Sequence, residues 1–287
     1  MVSNGDNEHV VEALGRSKIT VKDGVVVSVG DSLLKSCPLA KKFAKPVMEF
    51  THDSIKANIE DRIKNIGMFT NDRSVVSSDD FVIFGASELI SLGMRKGLVD
   101  SAVIVCDGAG TIIATTPEVV QGVGGRMSGL VKTSPIPEVI ERLETNGAIV
   151  LYPSRAVIDQ VRGVARAAEC GFQKIAVTVA SPKDAERIRC AYPDVLIFGV
   201  HTTGISKEGA DQFVANADLI TGCASKWIRE AAGKAALIQA GASVPVFALT
   251  KKGKDLIVER IKETQQRLLV KLEKLPYTDG KSPEPVL

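Results

Sequence analysis

IAVTVASPKDAERIRCAYPDVLIFGV, residues 175–200, is the stretch that decides the fold. An apolar run at 175–179 and another at 195–200 flank a charged helical stretch at 184–192. Neither run alternates with polar residues as a strand wetted on one face does, so both read as strands buried on two faces. A strand, helix and strand of this length close as a right-handed crossover between parallel neighbours. The same pattern recurs outward in both directions. Ala148-Ile-Val-Leu-Tyr152, Leu219-Ile-Thr221 and Val246-Phe-Ala-Leu249 are further strand candidates, and upstream Phe81-Val-Ile-Phe84 and Ala102-Val-Ile-Val105 flank a helix over 87–96. The expected class is α/β, a mainly parallel sheet flanked by helices, with a barrel as the alternative.

Before this region, Lys18-Ile-Thr-Val-Lys-Asp-Gly-Val-Val-Val-Ser-Val alternates around Asp23-Gly24, a pair suited to a type I′ turn, and predicts an N-terminal β-hairpin. Ile55, Ile59, Ile63 and Ile66 recur at helical spacing behind an Asp53 cap, giving an amphipathic helix up to Gly67. The two prolines of Lys132-Thr-Ser-Pro-Ile-Pro-Glu mark a boundary between an N-terminal region, 1–131, and a C-terminal α/β domain, 138–275. A charged helix is expected from residue 253 towards Leu275, and 276–287 reads as a flexible tail.

Composition narrows the partners. The 287 residues carry 36 basic against 34 acidic side chains, a net charge of +2, so no strong field draws the chain to nucleic acid or to an anionic membrane. The amino terminus lacks a basic start with an apolar stretch, and no apolar run approaches the roughly 18 residues of a membrane span. A cytoplasmic location is expected. Five scattered cysteines, an odd count, suit free thiols better than a disulfide framework.

The carboxyl ends of parallel strands form the crevice where α/β proteins bind ligands. Cys106 and Cys223 are placed at such ends, together with His201 after the run 195–200. Tyr152, Ser154, Thr178, Ser181, Thr202, Thr203, Ser225, Thr250 and Lys251 would ring the same crevice. His201 could act as acid, base or ligand, and Cys223 beside Lys226 at a helix start could be a thiolate of lowered pKa. These three are the catalytic candidates. A loop-bonded histidine and a small core cysteine are the plain alternatives. In Gly122-Val-Gly-Gly-Arg-Met-Ser-Gly129, the glycines permit positive φ and a close approach of backbone amides to an anion, which makes Gly122, Gly124, Gly125, Arg126 and Ser128 the ligand-binding candidates. The segment matches neither a dinucleotide fingerprint nor a P-loop, and a glycine-rich turn between packed elements is the competing reading. Conventional zinc and calcium motifs are absent, yet Cys37, Cys106 and Cys223 occur singly, and three thiolates brought together could hold an iron–sulfur cluster with one open iron. Cys170 and Cys190 fall in helical stretches, where packing is expected.

The run from Val103 through Cys106-Asp-Gly-Ala-Gly-Thr and Pro117-Glu-Val-Val-Gln-Gly-Val-Gly-Gly-Arg-Met-Ser-Gly to Ser134-Pro-Ile-Pro-Glu-Val-Ile resembles methanogenesis marker protein 8, as do Ala176-Val-Thr-Val-Ala-Ser and Val200-His-Thr-Thr-Gly. The resemblance covers roughly residues 8 to 262, and phrases of this length are more specific than any single motif. It implies an archaeal methanogen, a role tied to methanogenesis, and a partner such as methyl-coenzyme M reductase or its assembly and activation machinery. No reaction and no assigned catalytic residue come with it. The expected function is an accessory protein binding an iron–sulfur cluster or a small anionic ligand. The alternatives are an enzyme acting on a small phosphorylated or carboxylated metabolite and an assembly module without an active centre.

Overall fold

The computed structural model describes residues 7–127 and 129–287, in which two sheets organise the chain. Among the described residues the strands are β1 (Glu8–Glu12), β2 (Lys18–Lys22), β3 (Val25–Val29), β4 (Ser101–Cys106), β5 (Gly110–Ala114), β6 (Gly129–Lys132), β7 (Ile149–Val150), β8 (Ile175–Val179), β9 (Leu196–Gly199), β10 (Leu219–Thr221), β11 (Ile238–Ala240) and β12 (Val246–Ala248). The helices are α1 (His52–Ile66), α2 (Ala86–Arg95), α3 (Pro117–Val119), α4 (Pro137–Thr145), α5 (Gln160–Glu169), α6 (Pro182–Ala191), α7 (Lys207–Asn216), α8 (Lys226–Ala235) and α9 (Lys251–Glu263).

The larger sheet runs β11-β12-β10-β9-β8-β4-β5-β7. Its centre, β4, β8, β9 and β10, is parallel, and the four strands of its margins are antiparallel. The sheet is open, ending at β7 and β11, which rules out the barrel. Helices cover both faces, as the two-sided burial of the central runs requires. Val103 and Ile104 adjoin in sequence yet belong to opposite cores, because successive side chains of a strand point to opposite faces. Ile104 packs with residues of α2, α4 and α9, and Val103 packs with residues of α5 to α8. Each such side chain contributes on the order of 1.5–3 kcal/mol by leaving water.

The smaller sheet, β3-β2-β1-β6, is antiparallel throughout. Its hairpin turns at Asp23 and Gly24, with φ of 49° and 74°, the conformation a type I′ turn demands. Val11, Ile19, Val21 and Val26 pack with Ile55 and Ile59 of α1 and with Met68 and Phe69. The helix α1 starts two residues earlier than an Asp53 cap implies. Thr51 accepts the Ser54 N–H, and the Ser54 hydroxyl in turn accepts the Thr51 N–H, closing a capping box.

Several local expectations are corrected. Phe81–Phe84 is not a strand but a loop, held because the buried Glu88 accepts the N–H groups of Phe81 and Val82 at 3.1 and 3.3 Å, and because Arg260 Nε donates to the Ile83 carbonyl at 2.8 Å. The last helix stops at Glu263, and Leu268, Leu269 and Leu272 beyond it are exposed. Cys170 and Cys190 are exposed on α5 and α6 rather than packed. In the segment 276–287, Glu284 pairs with Ser36, and Leu287 exchanges backbone hydrogen bonds with Ala224 and Lys226.

Candidate functional site

Cys106 is the last residue of β4, and His201 and Cys223 follow the parallel strands β9 and β10, so all three share the carboxyl edge of the large sheet. They do not share one site. Two strands, β8 and β9, separate β4 from β10, a span of three strand spacings or roughly 14 Å. Cys106 is fully buried, its thiol donates to the Asp107 carbonyl at 3.3 Å, and burial raises its pKa far above the ordinary thiol range. Cys37 lies instead with Cys223, both within the field of Arg229, and burial raises the Cys37 thiol as well. Among the described residues no group of three or more His, Cys, Asp or Glu side chains could hold a metal ion. Thr250 and Lys251 belong to the opposite edge, because β12 runs antiparallel to β10. Lys226 opens α8 and sets its ammonium over the Trp227 ring at 4.8 Å, while Ser225 caps the helix.

His201 is a junction between the two sheets. Its Nε2 is 2.6 Å from Glu12 Oε2 on β1, and its ring lies so close to Gly129 that a Cβ there would be 2.4 Å from Nε2. Glu12 and Gly129 are register partners of β1 and β6, so the imidazole caps that pair. Arg16 Nε donates to the same Glu12 oxygen at 2.7 Å, and its Nη1 donates to the Thr203 carbonyl at 2.8 Å. The His201 hydrogen bond, reinforced by Arg16 against the cost of burial, holds the Glu12 carboxyl down to about 2. Arg16, His201 and Cys223 all have positive φ (61°, 58° and 37°), a conformation that costs a non-glycine residue about 1–3 kcal/mol. Thr202 and Thr203 tie the β9 end to the β10 end through the Thr221 carbonyl and the Ala224 N–H.

A second constellation surrounds the glycine segment. After α3 the chain makes a π turn, Val120–Gly124, a form common at functional positions. A Cβ on Gly122 would stand 2.5 Å from the Val75 carbonyl and the Val76 N–H, and one on Gly125 would be 2.7 Å from the Gln121 carbonyl. The two glycines therefore serve by lacking a side chain; the φ of Gly125 is −65°. Gly124 has only the Ser87 Cβ near the place its own Cβ would take, at 3.4 Å, and Ser128 lies outside the described residues. Ile66, Arg73, Ser74, Val76, Ser77, Ser78, Asp79, Gly122 and Arg126 line a cleft of about 290 Å³ against this turn.

At its floor Arg73 is wholly buried and forms an ion pair with Asp107, itself buried, at 2.9 Å from Nε. Arg73 Nη1 donates to the carbonyls of Ser74 and Gly122. Its Nη2 is buried with no hydrogen-bond partner among the described residues. Such a group costs about 1–3 kcal/mol or more if left so, which makes it a feature that calls for an acceptor. Arg126 lies over the Phe81 ring at 3.8 Å, and its backbone carbonyl accepts from Arg62 Nη1 at 3.1 Å. Burial together with Arg126 and Arg73 pushes the Arg62 guanidinium down to about 10, and burial with Arg73 lowers Arg126. Three guanidinium groups lie in one another's field, offset by Asp61, Asp79 and Asp107. Of these residues the sequence signalled Arg126 and the glycines. Arg62, Arg73 and the serines stand in segments whose spacing carries no motif, and only the polar cluster Asn71-Asp-Arg-Ser74 after an apolar helix hinted at them.

An open α/β sheet with a cleft beside a π turn defines a class of architecture rather than a reaction. The chain belongs to the family described as "Uncharacterized protein conserved in archaea (DUF2099)", whose model matches residues 9–262. An uncharacterized protein of Methanocaldococcus jannaschii is 43% identical over 284 residues, 98% of this chain and 100% of that protein. No helix among the described residues is long and apolar enough to cross a membrane.

Proposed function

We propose that this archaeal protein is an accessory factor of methanogenesis whose α/β body binds a small anionic ligand in the cleft of Arg73, Arg126 and Gly122. The observation that carries the anion is Arg126, which lines the cleft with its guanidinium over Phe81 and without a hydrogen bond among the described residues. An anion is favoured over an iron–sulfur cluster because Cys106 stands apart from Cys37 and Cys223. The methanogenic role rests on the long phrases shared with methanogenesis marker protein 8, and its natural partner is methyl-coenzyme M reductase or the proteins that assemble and activate it. Calorimetry with inorganic phosphate and with malonate tests the cleft. At least one should bind, and Arg126→Ala should weaken it by about 1.5–3 kcal/mol, the value of a charge-assisted hydrogen bond. Equal binding by the variant removes Arg126 from the site, and no binding of either anion removes the reading.

A second reading, an enzyme acting on a phosphorylated or carboxylated metabolite, is favoured by the Glu12–His201 pair. The carboxylate engages Nε2, and no hydrogen bond among the described residues engages Nδ1, so that nitrogen is the one available for proton transfer. The ring packs on Gly129, whose Cα is three residues, at most about 10 Å of chain, from that of Arg126. Cys223 and Lys226 are the remaining catalytic candidates of this reading.

A further inference from the structure

We infer that residues 276–287 are a detachable strap that closes over Cys37 and Cys223 and governs the access of solvent reagents to their thiols. The strap begins on α8, where a Cβ on Gly233 would be 2.4 Å from Pro276 Cδ and its three nearest atoms belong to Leu275 and Pro276. It then follows β11. The Tyr277 N–H donates to Gln239 Oε1 at 2.9 Å, the Tyr277 carbonyl accepts from Gln239 Nε2 at 2.7 Å, and the Ser243 hydroxyl donates to Asp279 Oδ2 at 3.2 Å. Pro283 is buried. Beside Cys37, the Lys35 N–H donates to the Glu284 carbonyl at 2.6 Å and the Glu284 N–H to the Ser36 carbonyl at 3.0 Å. Beside Cys223, the Lys226 N–H donates to the Leu287 carbonyl at 2.6 Å and the Leu287 N–H to the Ala224 carbonyl at 2.7 Å. Glu284 and Leu287 are three residues apart, at most about 10 Å of chain, so one short stretch joins the neighbours of both cysteines.

The strap is separable from the body because of what precedes it. Residues 265–274 form no helix or strand, and among the described residues their hydrogen bonds and ion pairs reach no further back than Thr264. Leu269, Val270 and Leu272 in this leash are exposed. Neither α9 nor a sheet strand has to unfold for the strap to leave, so opening costs only the contacts of the strap itself, a local event far below global unfolding. Cys37 and Cys223 are half-buried beneath it, whereas Cys170 and Cys190 lie exposed on α5 and α6 and supply a reference within the same molecule.

Alkylation of the full chain by iodoacetamide, followed for each cysteine by mass spectrometry of its peptide, tests this. In wild type, Cys37 and Cys223 should react at least about tenfold more slowly than Cys170 and Cys190. Two variants lift opposite ends of the strap. Gly233→Ala drives Pro276 away while giving α8 a better helix former. Lys226→Pro removes the N–H that holds Leu287, at the first position of α8, where a helix needs no N–H and the preceding Ser225 is already extended. Each should accelerate Cys37 and Cys223 by about three- to tenfold, the equivalent of one lost hydrogen bond, with Cys170 and Cys190 unchanged and the fully buried Cys106 unreactive. Wild-type Cys37 and Cys223 reacting as fast as Cys170 overturns the covering. Unchanged rates in both variants, or acceleration of Cys106 together with the pair in both, overturns the strap as the gate.

Discussion

Acidification from pH 7.5 to 4.5 should remove about 2–3 kcal/mol of stability through one side chain, His9. The residue is fully buried on β1, with Nε2 2.7 Å from Asn7 Oδ1 and Nδ1 2.6 Å from Thr133 Oγ1. Thr133 Oγ1 also accepts the Gly108 N–H at 2.7 Å, and with its hydrogen turned to Nδ1 rather than to the more distant Ser134 carbonyl at 3.4 Å, Nε2 donates to the amide oxygen. That network fits a neutral imidazole, since a proton on Nδ1 would oppose the threonine hydrogen. Burial accordingly lowers the pKa from 6.5 to about 4, with Asp107, Asp23 and Glu8 offsetting part of the effect. The unfolded chain takes up the proton as pH falls through 6.5, while the folded chain refuses it until about 4, so stability is full above 6.5 and is lost across that window. Urea denaturation of wild type and His9→Gln at both pH values isolates the contribution from the carboxylates that titrate in the same range. The variant should lose about 2–3 kcal/mol less than wild type between the two pH values. Equal losses would refute the reasoning, because glutamine has no proton to take up.

The buried Arg73–Asp107 pair should be as consequential. Asp107→Ala leaves a guanidinium unpaired in the core and should cost about 3–5 kcal/mol in the same denaturation assay, and a loss below about 1 kcal/mol would mean that water or another group reaches Arg73. At the sheet junction, Gly129→Ala should push the imidazole off Glu12, since the new Cβ would meet Nε2 at 2.4 Å. Carbon-detected magnetic resonance should then find the Glu12 carboxyl returning from about 2 towards 4.5. The stability that Glu12 contributes, full above 4.5 and lost as pH falls towards 2, should disappear with it, and an unchanged Glu12 titration would show that the ring is not seated as described.

The parallel centre of the large sheet was legible because burial on two faces writes continuous apolar runs, and β8, β9 and β10 fall where those runs stand. The strands β1 and β6 were not. Glu8-His-Val-Val-Glu12 and Gly129-Leu-Val-Lys132 are short and polar at one or both ends, and they find each other across more than a hundred residues, a pairing that local pattern does not encode. Phe81–Phe84 misled for the converse reason: its apolar residues cover a neighbour while side chains, not a strand, satisfy its amides. At the cleft, Arg126 and the glycines were singled out from composition, but the grouping of Arg126 with Arg62 and Arg73 is a product of the tertiary fold. The cysteines show the same limit, since a strand end assigns an edge of the sheet and not a position along it.

The π turn after α3 is, in chain terms, a single extra residue accommodated within a helix. Its wider loop leaves the backbone less well bonded than an ordinary turn, a cost retained where a function depends on it. Removing one residue between Pro117 and Gly125 would let the helix close regularly and rotate everything after it by about 100°, carrying Arg126 away from Arg73. A relative one residue shorter across this turn would therefore present its arginine from another face of the helix, even where both arginines persist.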